Sequence, residues 1–395
     1  LLEVPKDATH AEVAAALDKA LAPLGAEGRA LRAPLLALFG VPVEDARWES
    51  LDPPQRHLRI VNAAKSLLLR HAAATPLVLV VADLHWVDAE TRGLLDALAR
   101  SLDGARLLIL TEFRPEYRHH WATLPSWVPL PVVPLAEANA VSLFRSLVGT
   151  GASLAPLERL VLARVAGNPL FLEECVRGLA EAGVIEGPAG DRRLARSLES
   201  VQIPATVHDL LASRMDSLPP EEKALLQLAA VIGTEAPRAV LERASGTSAN
   251  ALARALAGLV ASGFLVETQP DAGVAYAFRH AFMHEVALGG LLAAQRRALH
   301  VLALEALEHA YAGRLEDHAE TLAHHAMRGE RWDQAVRWLR LAAQQAATRS
   351  AYRESLQLLE QALRAHAQSA GEHDARVEID LRIAMRAPLI ALGLF

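Results

Sequence analysis

The spacing of apolar positions changes along the chain and predicts different elements in different regions. Between residues 60 and 68, apolar positions recur at intervals of three and four, as on one face of an amphipathic helix. Residues 77–81 form an uninterrupted apolar run, and residues 105–113 contain a second one. Runs this short predict parallel strands that are buried on both faces, and the helical pattern between them completes a β-α-β unit.

The rest of the chain is predominantly helical in pattern. Residues 128–135 predict one more short strand, and the polar residues 187–203 predict a linker. Residues 204–278 predict helices followed by a β-hairpin that turns at Pro270–Gly273, the order of elements in a winged-helix domain. Towards the C-terminus the pattern predicts antiparallel helices similar to the opening of a tetratricopeptide-type solenoid, at 316–328, 331–347 and 351–366.

Composition and charge exclude several classes of protein. The 395 residues carry 40 basic and 46 acidic side chains, and a formal charge of −6 argues against a general binder of nucleic acids or acidic membranes. The only cysteine, Cys175, lies on an apolar helical face, which excludes an intramolecular disulfide framework and indicates a reducing cytoplasm. No apolar run reaches the ~20 residues of a membrane span, and no signal peptide is evident. We therefore expect a cytoplasmic protein without membrane association.

A candidate for metal chemistry follows the first apolar run. Ligands of open parallel sheets bind beyond the carboxyl ends of the strands, where Asp83 and Arg114 are both expected. Nucleotide hydrolysis by a P-loop protein needs a carboxylate at the end of a buried strand, because Mg²⁺ must be held beside the phosphates. An aspartate in this position can equally cap the turn that follows, and the spacing leaves both interpretations open.

Five segments, in order along the chain, resemble the STAND class of AAA-type signal-transduction ATPases. More narrowly, they resemble the ATPase and tetratricopeptide modules of bacterial adenylate/guanylate cyclase-type regulators. The segments are ADLHWVDAET (82–91), LLILTEFRPEY (107–117), AGNPLFLEE (166–174), IPATVHDLLASRMDSLPPEEKALLQLAAVIG (203–233) and FRHAFMHEVAL (278–288). The resemblance covers nearly the whole chain and implies an α/β region followed by mostly helical structure.

The resemblance also implies a division into four domains. They are a partial P-loop nucleotide-binding domain with a parallel sheet (1–135), a helical lid (136–200), a winged-helix domain (201–280), and a helical linker with the start of tetratricopeptide-like repeats (281–395). The phosphate-binding motif G-x-x-x-x-G-K-[ST] is absent, since none of the four lysines follows a glycine. Because the chain starts at Leu1 and its helical pattern runs to Phe395, we expect a piece of a longer protein.

For Asp83, the resemblance implies a catalytic and Mg²⁺-binding role, since it matches the second position of the Walker B acid pair. The first position is usually acidic in this family but is Ala82 here. Either Asp83 holds the metal alone, or hydrolysis is slow or lost. Asp88, in the following loop, is a weaker substitute, and Trp86 is interpreted as packing of the turn.

Arg114 matches the sensor arginine of the family. A guanidinium in this position can donate two hydrogen bonds to a γ-phosphate, so that its contacts differ according to whether that phosphate is present. The alternative is a surface ion pair with Glu112 or Glu116.

Two residues of the helical regions are implied to contact nucleotide as well. Pro169 matches the lid proline expected to lie against the adenine ring, with Phe171 and Leu172 extending the apolar surface; the alternative is an ordinary turn between helices. His280 matches the histidine that contacts the β-phosphate of ADP in these proteins, because an imidazole can donate to a phosphate oxygen. The alternative is a histidine that faces solvent.

The function implied by the resemblance is a switch driven by ATP and ADP with Mg²⁺. ADP would join the nucleotide-binding, lid and winged-helix parts in a closed state, and ATP would open the molecule, usually to form an oligomer. The switch would regulate an attached output domain such as a nucleotide cyclase, with the helical repeats binding a protein partner. This chain alone is not expected to be an active ATPase.

Two other functions remain open. One is a degenerate ATPase that acts as a protein-interaction scaffold through its helical repeats, as Ala82 suggests. The other is part of a LuxR/MalT-like transcription regulator whose DNA-binding module lies outside this segment. Direct DNA binding by the winged-helix region is not expected, because that region has no dense stripe of arginine or lysine.

Overall fold

The structure, a computed structural model, is mostly helical with small sheets, and the chain forms two compact units. Unit 1 comprises Leu1–Pro129 and Tyr311–Phe395, and unit 2 comprises Leu130–Ala310. The structure describes residues 8–198, 203–270, 273–369 and 374–394. Some positions discussed above lie outside these ranges, namely Leu1, Phe395, residues 199–202 of the predicted linker and residues 271–272 of the predicted hairpin turn.

Local sequence signals determine where the first helices of unit 1 begin. These helices are α1 (His10–Leu21), α2 (Gly25–Leu38), α3 (Ala46–Glu49), α4 (Pro53–Ala74) and α5 (Ala89–Ala99). At α1, Thr9 and Glu12 form a reciprocal capping box, in which the Thr9 backbone N–H donates to Glu12 Oε2 over 2.8 Å. At α4, Asp52 accepts from the Gln55 backbone N–H, and the first turn holds Pro53, a position that proline favours.

Two strands accompany these helices and form a parallel pair. Strand β1 (Leu77–Val81) lies beside β2 (Leu107–Thr111), with Leu77 opposite Leu107 and Val81 opposite Thr111. Helix α5 connects them, so the predicted β-α-β unit is confirmed. One face of the pair packs against apolar side chains of α4 and α5, including Ala72 and Leu98.

The other face of this sheet is open, so the prediction that both strands are buried on both faces is wrong. Its four side chains, named here the open sheet face, are between 44% and 65% exposed; they are Val78, Val80, Leu108 and Leu110. No element in the described ranges covers them. An uninterrupted apolar run shows that both faces avoid polar residues, but it carries no information about which elements cover each face.

Unit 2 begins with helices α6 (Glu137–Val148), α7 (Ala155–Val165) and α8 (Pro169–Glu181). They confirm the predicted helical pattern, and the chain breaks between α7 and α8 before Pro169. Buried side chains of all three helices, including Phe144, Val161 and Leu172, form a common core. The side of α8 that points away from this core therefore faces the rest of unit 2.

Two predictions for the irregular segments are wrong. Residues 128–135 form no strand, because Pro129, Pro131 and Pro134 lack the N–H groups that a strand needs for pairing. The predicted linker, 187–203, is not wholly irregular, because β4 (Arg193–Leu194) lies within it and pairs antiparallel with β3 (Ile185–Glu186), which directly precedes it. Two-residue strands are too short to give a periodic pattern.

The second part of unit 2 combines helices with an antiparallel sheet. Its elements are α9 (Val207–Asp216), α10 (Pro220–Ile232), β5 (Glu235–Pro237), α11 (Arg238–Ser245), α12 (Ala249–Ala261), β6 (Leu265–Thr268), β7 (Ala275–Phe278), α13 (Ala281–Gly289) and α14 (Ala293–Ala310). The predicted hairpin is confirmed, with Leu265 opposite Phe278. Strand β5 was not predicted; it pairs with the other edge of β7, which makes the sheet order β5-β7-β6.

Successive helices complete unit 1 at its C-terminal end. They are α15 (Ala319–Arg328), α16 (Trp332–Thr348), α17 (Tyr352–Gln368) and α18 (Ala375–Leu392). The first three confirm the predicted helices, and buried alanines such as Ala342, Ala343 and Ala362 allow neighbouring helices to approach closely. Within the ranges that the structure describes, no helix has both the length and the apolar character needed to cross a membrane.

Candidate functional site

Asp83 lies directly beyond the carboxyl end of β1, in a conformation that few aspartates adopt. Its backbone is left-handed, with φ 51° and ψ 41°. Two hydrogen bonds hold the chain on either side of it: the Glu112 N–H donates to Val81 O over 3.0 Å, and the Leu84 N–H donates to Glu112 O over 2.9 Å. This backbone is therefore held by Glu112, which directly follows β2, and not by the Asp83 side chain.

The Asp83 carboxylate caps no helix, which excludes the alternative left open by the spacing. It makes no capping hydrogen bond to the turn that follows, and its side chain is 41% exposed. Asp88 caps α5 instead, since its carboxylate accepts from the Glu90 and Thr91 backbone N–H groups over 2.8 Å each. Partial burial by itself would raise the pKa of Asp88, but the hydrogen bonds from Thr91 and Glu90 outweigh it and hold that pKa below its ordinary value. Asp88 is thus occupied as a cap, while Asp83 is open.

Three more side chains extend from Asp83 towards the end of β2. Nε2 of His85 lies 3.8 Å from Asp83 Oδ1, and both ring nitrogens of His85 are buried without a hydrogen-bond partner in the described part of the chain. The rings of His85 and Trp86 lie 5.0 Å apart, and the Arg114 guanidinium lies 5.7 Å from the centre of the Trp86 ring. We name Asp83, His85, Trp86 and Arg114 the strand-end cluster.

Trp86 does not pack the turn as predicted. It is 61% exposed, and the side chain that fills the turn is Leu84, which is fully buried. The two rings, whose planes are tilted by 52°, and the guanidinium instead form a partly exposed surface beside Asp83. Such a surface has the aromatic and cationic groups that a planar or anionic ligand could contact.

One magnesium ligand is available in the strand-end cluster. Mg²⁺ is commonly held by one or two carboxylates together with waters and substrate phosphates, so the open carboxylate of Asp83 fits this role. Among the described residues, no three His, Cys, Asp or Glu side chains come together as a complete protein-built metal site would require. The cluster therefore suits a metal that a phosphate ligand also holds.

Pro169 is the first residue of α8 and is exposed. Asn168 caps the helix by accepting from the Phe171 N–H over 3.1 Å. Gly167 has φ 75° and lies so close to the preceding segment that a Cβ would stand 2.6 Å from Leu135 O. The turn therefore presents Pro169 in a defined position. Its predicted neighbours differ: Phe171 and Leu172 belong to the buried core, so they add no apolar surface beside it.

Cys175 lies in the same core, as predicted for a structural cysteine. Burial raises the pKa of its thiol to about 12. At pH 8 only about 1 in 10,000 thiols would then be ionised, and the thiolate is the form that reacts with alkylating agents. We expect iodoacetamide to leave the folded protein unlabelled and to label Cys175 fully in denaturant, as measured by intact mass. Rapid labelling of the folded protein would contradict the burial.

His280 precedes α13 and is partly buried. Its side chain caps no helix. Burial raises the pKa of Glu174 on α8, and electrostatic interactions with Arg214, Arg177 and His280 oppose that rise.

Sequence reasoning missed a group of charged side chains in unit 2. We name this group the Glu174–Arg214 cluster; its members are Glu174, Arg177 and Glu181 of α8 and Arg214 of α9. Glu174 is fully buried, and Arg214 is 5% exposed. A signal was present, because the three α8 residues follow one another at intervals of three and four on a helix whose other face is apolar.

The predicted site residues are divided between the two units. Asp83 and Arg114 belong to unit 1, where they share the strand-end cluster. Pro169 and His280 belong to unit 2, at the starts of α8 and α13.

Comparison with known proteins gives a distant relative and a low structural likeness. No protein-family model matches the chain. Over 328 residues it is 29% identical to the uncharacterized protein R02095 of Rhizobium meliloti (strain 1021), a match that covers 81% of this chain and 31% of that protein. A solved STAND protein with a tetratricopeptide repeat sensor, PH0952 from Pyrococcus horikoshii, aligns with 99% of this chain and 56% of its own, at a TM-score of 0.45 and 12% identity. The chain thus spans about a third of its Rhizobium relative.

Proposed function

We propose that this chain is the regulatory core of a STAND-class signalling switch that binds ATP and ADP with Mg²⁺. The observation that carries the proposal is the strand-end cluster, in which an uncapped aspartate and an arginine follow two neighbouring parallel strands. Open α/β sheets bind their ligands beyond the carboxyl ends of the strands. The five ordered segments of STAND-like sequence support the same assignment.

The residues of the strand-end cluster have complementary roles in this proposal. Asp83 holds Mg²⁺ through its carboxylate, and the bound metal neutralises phosphate charge. Arg114 contacts the γ-phosphate and so distinguishes ATP from ADP. Ala82 supplies no carboxylate, and hydrolysis is therefore slow. Slow hydrolysis suits a switch, because the bound nucleotide then persists long enough to set the conformation.

Two residues of unit 2 are proposed to contact the nucleotide as well. Pro169 offers an exposed ring to the adenine, and His280 donates to a phosphate oxygen of ADP. ADP and ATP would favour different conformations of the chain, since only a ligand with different affinities for two conformations can shift their populations. The output, such as an attached nucleotide cyclase, and a nucleotide-dependent oligomer belong to the same proposal.

The open sheet face is consistent with this function. Parallel sheets are normally covered on both faces, whereas here Val78, Val80, Leu108 and Leu110 are exposed. The chain also has no glycine-rich loop with a phosphate-binding lysine. We propose that further strands and helices of a nucleotide-binding domain, including that loop, pack on the open sheet face in the full-length gene product.

The test is nucleotide affinity measured by calorimetry on the full-length gene product that contains this chain. Arg114→Ala is expected to weaken ATP binding by about 10- to 100-fold, the effect of losing a charge-assisted hydrogen bond, and to leave ADP binding nearly unchanged. The 395-residue chain alone is expected to bind both nucleotides much more weakly, because it lacks the lysine-bearing loop.

Arg106→Ala is the matched control. Arg106 directly precedes β2, at the opposite end of the strand from Arg114, and its Nη1 donates to the Ala73 carbonyl over 3.3 Å. Its loss removes the same charge and should change neither affinity. Absence of any nucleotide binding by the full-length protein, or an equal loss of ATP and ADP affinity in Arg114→Ala, would contradict the proposal.

A second function is favoured by the helices at the C-terminal end. A cavity of about 770 Å³ lies against α16 and is lined by charged residues that include Arg337, Arg340 and Asp333. Together with Ala82, this supports a scaffold that binds a protein partner through its helices without hydrolysing nucleotide. Partner capture that is unaffected by ATP, ADP or Arg114→Ala would favour the scaffold over the switch.

A further inference from the structure

Arg214 joins three separate segments of unit 2 from a buried position. Its Nε and Nη2 donate to the Glu181 carboxylate over 2.9 and 2.6 Å, and its Nη1 donates to Glu174. Nη2 also donates to the Ser262 carbonyl over 2.8 Å, and the guanidinium lies 4.7 Å from the centre of the Phe264 ring. One side chain of α9 thus binds both α8 and the turn that leads from α12 into β6.

Arg177 reaches the same turn from α8. Its Nη1 donates to the Ser262 carbonyl over 3.4 Å. Gly263 follows with φ 75°, and a Cβ there would overlap the Arg177 guanidinium. The left-handed backbone favours glycine at this position, and a larger residue would displace the Arg177 guanidinium from the turn.

The hydrogen bonding inside the Glu174–Arg214 cluster is incomplete. Glu174 Oε1 and Arg177 Nε are both buried without a hydrogen-bond partner in the described ranges, although they lie only 3.6 Å apart. A buried acceptor and donor left in this way carry a desolvation cost. If the cluster served stability alone, the fold would be more stable with a hydrogen bond between these two atoms, or with apolar side chains in place of the charged ones.

We propose that the Glu174–Arg214 cluster is a conformational latch between α8 and the turn before the hairpin sheet. While Arg214 holds Glu174, Glu181 and Ser262 together, α8 and the sheet move as one body. When it releases them, α8 can shift against the sheet. The latch follows from the geometry of unit 2 alone. Its link to Pro169 on α8 and to His280 rests on the proposed nucleotide function.

The geometry also provides a way for the latch to open. Glu181 is 42% exposed, and a cavity of about 820 Å³ beside α8 and α9 is lined by Glu181, Arg214 and Ser262. Water can therefore reach the Glu181 end of the cluster while the Glu174 end stays buried. Release would begin at Glu181.

Native-state hydrogen exchange of the 395-residue chain, read by mass spectrometry, tests the latch without nucleotide. Arg214→Met is expected to speed exchange by about 10- to 100-fold at two places, the C-terminal half of α8 and residues 262–266. Amides of α10 and α11 should keep their rates. Unchanged exchange at both places, or an equal increase throughout unit 2, would overturn the proposal.

Three further variants make the result decisive. Arg145→Met is the matched control, because Arg145 makes the same forked pair with Glu158, but on the surface and between α6 and α7. It should leave the exchange rates of α8 and residues 262–266 unchanged.

If Arg214→Met fails to fold, Glu181→Gln is used in its place. A smaller increase in exchange rate is then expected at the same amides. The apolar pair Glu174→Leu with Arg214→Met should fold and still exchange faster there; slow exchange in that variant would mean that the cluster only fills space.

Discussion

Replacing Arg214 with alanine is expected to lower the free energy of unfolding of unit 2 by about 3–5 kcal/mol, the usual cost of removing one partner from a buried ion pair. The loss is large because Glu174 is fully buried and would lose the hydrogen bond from Arg214, with Arg177 Nε still 3.6 Å from Glu174 Oε1. Burial already raises the pKa of Glu174, opposed by the charges of Arg214, Arg177 and His280, so removing Arg214 raises that pKa further.

The measurement is urea unfolding followed by hydrogen exchange of peptides from α8, α9 and α12. Fluorescence would not serve, because all six tryptophans lie in the sequence ranges of unit 1. Arg145→Ala provides the comparison; it breaks an exposed pair, for which about 1 kcal/mol or less is expected. Equal losses in the two variants would show that the burial of Arg214 carries no special energy.

Gly167→Ala is expected to destabilise unit 2 by about 2–3 kcal/mol. The left-handed conformation at φ 75° costs an alanine about 1–2 kcal/mol by itself. In addition, the new Cβ would stand 2.6 Å from Leu135 O, beside the hydrogen bond that the Leu135 N–H donates to Gly167 O over 2.8 Å. Separating the two segments weakens that bond, and it displaces the turn that presents Pro169.

The control for Gly167→Ala is Gly246→Ala. Gly246 ends α11 with a similar φ of 62°, but a Cβ there would meet nothing within 4 Å. This variant should show only the conformational cost, about 1–2 kcal/mol. Thermal unfolding followed by circular dichroism measures both. If the two variants lose the same stability, the contact with Leu135 has no energetic consequence.

Most helices and the parallel strand pair were predictable because their signals are local. The Thr9–Glu12 capping box, the prolines that begin α4 and the apolar run of β1 each involve residues close together in sequence. Hydrogen bonds and caps within a few residues depend little on the rest of the chain. The short strands β3, β4 and β5 were missed because two or three residues give no period.

The position of the candidate site could be predicted from the sequence, but the backbone conformation and exposure of its residues could not. Spacing and motif identified Asp83 and Arg114, and the structure brings both into the strand-end cluster. No local signal revealed that Asp83 is left-handed and uncapped, because its backbone is held by the hydrogen bonds of Val81 and Leu84 with Glu112, which directly follows the neighbouring strand. Likewise, the exposure of Trp86 depends on which side chain fills the turn, and that side chain is Leu84.

The amino-acid sequence is sufficient to specify where helices start, which runs form strands and which residue types stand at the strand ends, because these depend on short-range sterics and hydrogen bonds. The open sheet face and the Glu174–Arg214 cluster depend on folding over long separations. Arg214 meets Glu174 across 40 residues, and Arg177 meets Ser262 across 85. Burial changes the energy of a charge far more than sequence context does, and burial exists only once distant segments have packed together.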